Sequence, residues 1–209
     1  MSDFKARYGE EILSVEGRFV YPKLAEPDTV GKFARGNFNT TFLVSKEDIE
    51  GDEFKAMMAA LCEVAGVASE DDLDKHPFCG LDGNLKDGDA EKNASKPGFP
   101  GHIFMKVSTN EKPECFTSID VDESTPIDAD KIKAGDYGRL ILTPSCYGEG
   151  ETTFYIKAVL LTKVGERLSG GGAKVDAKSF FDTAVSGGGA AKAAPKKKKA
   201  KPSINDVLG

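Results

Sequence analysis

The sequence predicts a mainly β protein: a five-stranded Greek-key barrel with one main helix and a flexible C-terminal tail. Three observations carry this expectation. Residues 139–147 and 154–164 are two runs rich in apolar and β-favouring side chains, separated by the turn cluster Gly148-Glu149-Gly150-Glu151, which is the pattern of a β-hairpin. One stretch, 47–65, repeats its apolar residues at helical spacing. From Gly170 onward the composition turns to glycine, alanine and lysine, too poor in apolar side chains to build a core.

In chain order, residues 12–21 read as the first strand, with Leu13, Val15, Gly17, Phe19 and Tyr21 on one face and Pro22 ending it. Residues 23–36 form a loop punctuated by Pro27, Gly31 and Gly36, and its second half is basic: Lys32, Phe33, Ala34, Arg35. Residues 37–45 alternate as a second strand, placing Phe38, Thr40, Phe42 and Val44 on one face. In the helix, Ile49, Phe54, Met57, Met58, Leu61 and Val64 form the buried stripe, and Gly66 is its C-terminal cap. The two methionines are read as core filler. Residues 69–99 are polar and turn-rich, 102–109 form a third strand, 117–121 a short fourth one, and the hairpin closes the domain.

On the hairpin, Tyr137, Arg139, Thr143 and Tyr147 share one parity, and Tyr155, Lys157 and Lys163 share another. A sheet face that mixes rings with cations suits single-stranded nucleic acid, because rings stack on bases while cations sit near phosphates. The candidate binding residues are therefore aromatics near cations: Arg18, Tyr21 and Lys23; Lys32, Phe33 and Arg35; Phe104 and Lys106; Arg139 and Tyr147; Tyr155 and Lys157. Against this stands the plainer reading that each ring is core and each cation a solvated surface charge. Phe19, Phe42 and Phe154 are assigned to the core.

Charge is unevenly spread. The net charge is −6, but residues 170–209 hold eight lysines against three aspartates, so the tail is +5 and the body −11. That is not the footprint of a general duplex-DNA binder, which is basic over a whole face. No apolar run is long enough to span a membrane, and the N-terminus lacks the apolar segment of a signal peptide. The four cysteines (Cys62, Cys79, Cys115, Cys146) form no CxxC pair; reduced thiols and a cytoplasmic location are expected.

Two further constellations carry ligand-type side chains. Asp82, Asp87 and Asp89 flank Asp-Gly turns, which reads either as turn chemistry or as a divalent-metal site for a nuclease. His76 and Cys79 have a ligand-pair spacing but no second pair to complete a zinc site. No phosphate-cradling Gly-rich loop is present, and no cofactor is called for.

The strand count and order fit a barrel of the OB type. The chain also resembles the bacteriophage OB-fold single-stranded DNA-binding proteins. The matching residues are Arg18-Phe19 with Pro22, the 37–44 strand followed by a helix, and Leu85-Lys86-Asp87-Gly88-Asp89. To these are added Gly101-His102-Ile103-Phe104, Lys133-Ala134-Gly135-Asp136-Tyr137-Gly138-Arg139, and Tyr147 through Val164-Gly165-Glu166. The resemblance covers residues 12–168. It implies a non-enzymatic protein that binds ssDNA without sequence preference in phage replication, recombination or repair, with residues 1–169 as the binding domain and 170–209 as a flexible tail. Many such proteins end in an acidic tail with an apolar tip that recruits partners such as replication proteins. This tail is basic, with Asp206 beside Val207-Leu208 and a displaced Phe180-Phe181-Asp182 patch, so its lysines read as further phosphate contacts. A phage structural or partner-docking module, worked by the tail, is the third reading.

Overall fold

A computed structural model describes residues 5–30, 34–66, 85–119, 123–148 and 151–168. Lys32, Phe33, His76, Cys79, Asp82 and the tail lie outside them. No helix among the described residues is long and apolar enough to cross a membrane.

Five strands close the barrel: β3 (Gly17–Asp28), β4 (Asn37–Ser45), β6 (His102–Thr109), β9 (Tyr137–Gly148) and β10 (Glu151–Lys163). Their order round the barrel is β3-β4-β6-β10-β9, and β9 returns to β3. The last strand thus lies between the third and the fourth, the Greek-key order of an OB barrel. Every pair in the ring is antiparallel except β6 with β10. Closure requires β3 and β9 to approach closely. They do so at Gly17 opposite Gly138, where a Cβ on Gly138 would meet the Leu160 carbonyl oxygen at 2.1 Å and the Phe19 ring at 2.7 Å.

Alternation fills the interior. Phe19, Phe42, Val44, Met105, Val107, Leu140, Leu142, Phe154 and Ile156 all point inward and are at most 2% exposed. Helix α1 (Asp52–Ala65) packs on this core through Phe54, Met57, Met58, Leu61, Cys62 and Val64. A short 3-10 turn, Asp48–Glu50, leads into it. Gly66 ends it in the left-handed region (φ 74°), donating to the carbonyls of Cys62 and Glu63, because only glycine takes that conformation without a Cβ penalty.

The first strand departs from expectation in three ways. It is preceded by two short pieces, β1 (Arg7–Tyr8) and β2 (Ile12–Leu13), which pair with β9 ahead of β3. It breaks at Ser14, whose buried hydroxyl accepts the Leu140 N–H (2.8 Å) and donates to the Val15 carbonyl (2.7 Å). The break reverses parity, so Leu13 is exposed where Val15 is buried. Pro22 does not end the strand: β3 runs on to Asp28 through a bulge between Val20 and Lys23, where proline's missing N–H costs no ladder bond. Tyr21, at the bulge, has φ 51°.

The remaining pieces are β5 (Leu85–Asp87), which pairs with β6, the one-turn helix α2 (Glu91–Ala94), β7 (Glu114–Thr117), which pairs with β10, and β8 (Thr125–Pro126), which pairs with β7. Of the fourth strand expected at 117–121, only Thr117 is strand, as the last residue of β7; Ser118 and Ile119 are not, and residues 120 and 121 lie outside the described set. Strand β10 carries register shifts between Ile156 and Ala158 and between Leu161 and Lys163.

Candidate nucleic-acid interface

The outer face of β3, β4 and β6 divides into two halves. One half is closed. Phe99 lies on Val20 and Leu43, and Phe104 and Leu168 pack against them. Phe104 meets Phe99 edge to face with ring centroids 4.8 Å apart, so its ring is engaged in the protein's own packing.

Arg18 serves the same closure. Its Nε donates to the Gly135 carbonyl at 2.9 Å, its Nη2 to the Glu166 carbonyl at 2.7 Å, and its guanidinium lies 5.2 Å from the centre of the Tyr137 ring. Asp136, fully buried, accepts from the Lys133 and Gly165 N–H groups and from Arg167 at 2.6 Å. These bonds fix residues 165–168 over the sheet, and a buried carboxylate needs that many donors to replace water.

The other half is open, and the ladder register builds a row that crosses it and continues onto β10 and β9. Lys23 lies opposite Asn39, Asn39 opposite Ser108, Ser108 opposite Tyr155, and Tyr155 opposite Thr143. Directly opposed residues share a face, so five strands contribute one residue each, about 4.8 Å apart. Thr41 and Lys106, themselves a pair, form the parallel row two residues along. Lys23 and Lys106 are exposed. Tyr21, 52% exposed, adjoins Lys23 at the bulge. The floor between cations and rings is small and polar: Asn39, Thr41, Ser108 and Thr143. The Oγ1 of Thr143 is buried and, among the described residues, has no hydrogen-bond partner, which costs about 1–3 kcal/mol.

The row continues past Thr143. Ser145, two residues along β9, lies opposite Tyr8 of β1, and the Tyr8 and Tyr155 rings are 6.5 Å apart. Tyr147 follows, 48% exposed. Lys157 is exposed at the β10 bulge.

The candidates read from the sequence therefore separate. Lys23, Lys106 and Tyr155 are brought together, with Tyr21, Tyr147 and Lys157 at the margins. Arg18 and Phe104 are committed to the closed half. Arg139 is ion-paired with Glu53 of α1 at 2.9 Å and lines an apolar hollow of about 300 Å³ with Leu13, Ile141 and Leu160, four residues along β9 from Thr143. Arg35 is exposed in the β3–β4 loop; Lys32 and Phe33 of that loop lie outside the described residues. Tyr8, which the structure sets beside Tyr155, was not among the sequence candidates, although Arg7-Tyr8 is the same cation-and-ring pairing used elsewhere, because it precedes the first apolar run.

The acidic cluster has a different employment. Asp87 and Asp89 both bind the Lys46 ammonium, at 2.8 and 2.7 Å. Asp89 also accepts the Gly101 N–H, and Asp87 the Asp89 N–H. The Lys46 hydrogen bonds first, and these backbone donors second, hold both carboxyls below the usual carboxylate range. The two Asp hold the β5 turn against the end of β4. Among the described residues no group of three or more His, Cys, Asp or Glu is arranged for a metal ion.

The comparisons with known proteins agree with this architecture. Residues 10–189 match the family described as Enterobacter phage Enc34, ssDNA-binding protein. No curated protein matches the chain by sequence. Among solved structures, the single-stranded DNA-binding protein from bacteriophage Enc34 in complex with ssDNA superposes with a TM-score of 0.56 at 16% identity, covering 76% of this chain and 89% of that one. A C-terminal truncation of the same phage protein gives 0.56 at 17% identity, covering 75% and 87%. At such identity the superpositions speak for the fold, the OB barrel, and the family match spans most of the sequence. The chain belongs to the Enc34 ssDNA-binding protein family.

Proposed function

We propose that this protein binds single-stranded DNA without sequence preference and without a chemical step, protecting it in phage DNA replication, recombination or repair. The observation that carries this reading is the five-strand row from Lys23 to Thr143 on the open half of the barrel. Its middle members, Asn39 and Ser108, with Thr41 and Lys106 beside them, lie on the second and third barrel strands, the face that binds oligonucleotides in that fold. It offers cations for phosphates toward one end and a ring for bases toward the other, the combination that binds single strands through backbone charge and stacking. Family membership supports the same ligand. Residues 1–169 are the binding unit in this reading, and the lysines of 170–209 add phosphate contacts. The nuclease reading has no support in the described residues, since Asp87 and Asp89 hold Lys46. The protein acts in the cytoplasm of the host cell.

The test is charge reversal on and off the row. Lys23→Glu/Lys106→Glu is expected to weaken binding of an oligo-dT of about 30 nucleotides by at least about tenfold. It should also flatten the plot of log affinity against log salt by about 1.4, since each phosphate contact on a single strand contributes about 0.7. Lys55→Glu, on the exposed face of α1, is expected to bind within about twofold of wild type. Equal losses in both variants, or none in either, would remove the row from the account.

A further inference from the structure

Tyr8 belongs to none of the five barrel strands, yet its backbone is held firmly. Arg7 and Tyr8 pair with Cys146 and Ser145 of β9. The Gly9 N–H donates to the Pro144 carbonyl at 2.9 Å. The Arg7 guanidinium donates to the Ala65 carbonyl at the end of α1, at 3.0 Å. Gly9 is pressed so closely against the body that a Cβ there would meet Pro144 at 2.8 Å and Val64 at 2.9 Å.

The Tyr8 ring is a contrast to this fixed backbone. It is 65% exposed, more than Tyr21 at 52% or Tyr147 at 48%, and the Tyr155 ring lies beside it, with centroids 6.5 Å apart and planes at 36°. An anchored backbone that presents a bare ring is preorganised for contact with something outside the molecule, because little ordering remains to be done on binding. Tyr155, beside it, stands in the row of the candidate interface.

Resting on the ssDNA reading, we propose that Tyr8 is a base-stacking residue. With Tyr155 it forms a two-ring platform that carries the interface off the barrel and onto the N-terminal edge strand. The occupant is a base of the same single strand whose phosphates lie nearer Lys23 and Lys106. Stacking uses the π-face that every base has, so the platform adds affinity without sequence preference.

The chain has five tyrosines and no tryptophan, so tyrosine emission is not masked, and the difference between wild type and a Tyr8 variant isolates the contribution of that ring. In the full-length protein, Tyr8→Ala is expected to weaken oligo-dT binding roughly 5- to 100-fold. Tyr8→Phe should stay within about twofold, because the ring and not the hydroxyl stacks. Part of the emission quench seen on saturating wild type should vanish in Tyr8→Ala. Tyr8→Leu keeps apolar bulk on the edge strand but lacks a π-face; it should lose affinity like alanine with an unchanged thermal midpoint. Binding and quench unaltered in Tyr8→Ala, while Lys23→Glu/Lys106→Glu binds poorly, would overturn the role of Tyr8 and leave the interface standing. Tyr8→Leu binding like wild type would also overturn it. Failure of wild type to bind oligo-dT at all would sink the ssDNA reading, and Tyr8 with it.

Discussion

Thr143 is the residue at which fold and interface meet. It stands opposite Tyr155 in the row, is 8% exposed, and its hydroxyl lacks a partner among the described residues. Thr143→Val, close to isosteric, removes the unsatisfied oxygen and is expected to raise stability by about 1 kcal/mol. That corresponds to roughly 2–4 °C in thermal midpoint for a chain of this size, readable by differential scanning calorimetry. An unchanged or lower midpoint would mean that the hydroxyl is satisfied after all. At this scale the sequence was legible for core residues and much less so for binding residues. Phe19, Phe42 and Phe154, assigned inward from alternation, are at most 2% exposed. Arg18 and Phe104 looked equivalent to Lys106 and Tyr155 because composition records that a cation lies near a ring. What it does not record is that Arg18 spends its donors on Gly135 and Glu166, partners more than a hundred positions away.

Among the elements, β4 and β6 were readable to the residue, because turn residues bound each run and Phe42, Val44, Met105 and Val107 recur at period two on the inner face, although Leu43 and Phe104 make part of the outer face apolar too. The first strand was not. Its parity is reset at Ser14 and again at Tyr21, and a period-two pattern has no way to announce an inserted residue. The bulges in β10 act in the same way: Lys163 returns to the outer face, over the Tyr137 ring at 5.5 Å, after two register shifts. The β5 turn is the element whose chemistry was most open to misreading, since a cluster of aspartates resembles a metal site until Lys46 is placed among them. Its behaviour with pH follows from that placement. Asp87 and Asp89 have folded pKa values below their unfolded ones. The stability they contribute is therefore present above the ordinary carboxylate range, and it is lost as pH falls through the depressed values. Thermal midpoints measured from pH 7 down to about 2.5 are expected to show wild type above Lys46→Met at neutral pH, with the gap closing below about pH 4. A gap that persists at the acid end would assign the effect to packing of the lysine stem instead of its charge.

For the whole molecule, the body's net charge of −11 and its proposed ligand seem opposed only if charge is averaged over the surface. The row and the one parallel to it place Lys23 and Lys106 on the open half, while several carboxylates are engaged elsewhere: Glu53 with Arg139, Asp87 and Asp89 with Lys46, and Asp136 with Arg167. An acidic body then has a use in discrimination. A duplex presents a rigid double line of phosphates that must approach more of the surface than one groove, whereas a single strand can follow the row and turn its bases onto the rings. The measurement that tests this most directly is an anisotropy titration of the full-length protein with a labelled oligo-dT of about 30 nucleotides. It would run at several salt concentrations between about 50 and 400 mM, each repeated with unlabelled duplex as competitor. The account predicts binding that weakens steadily with salt and is left largely intact by an equal mass of duplex. Displacement by duplex as effective as by single strand, or no binding at the lowest salt, would contradict it.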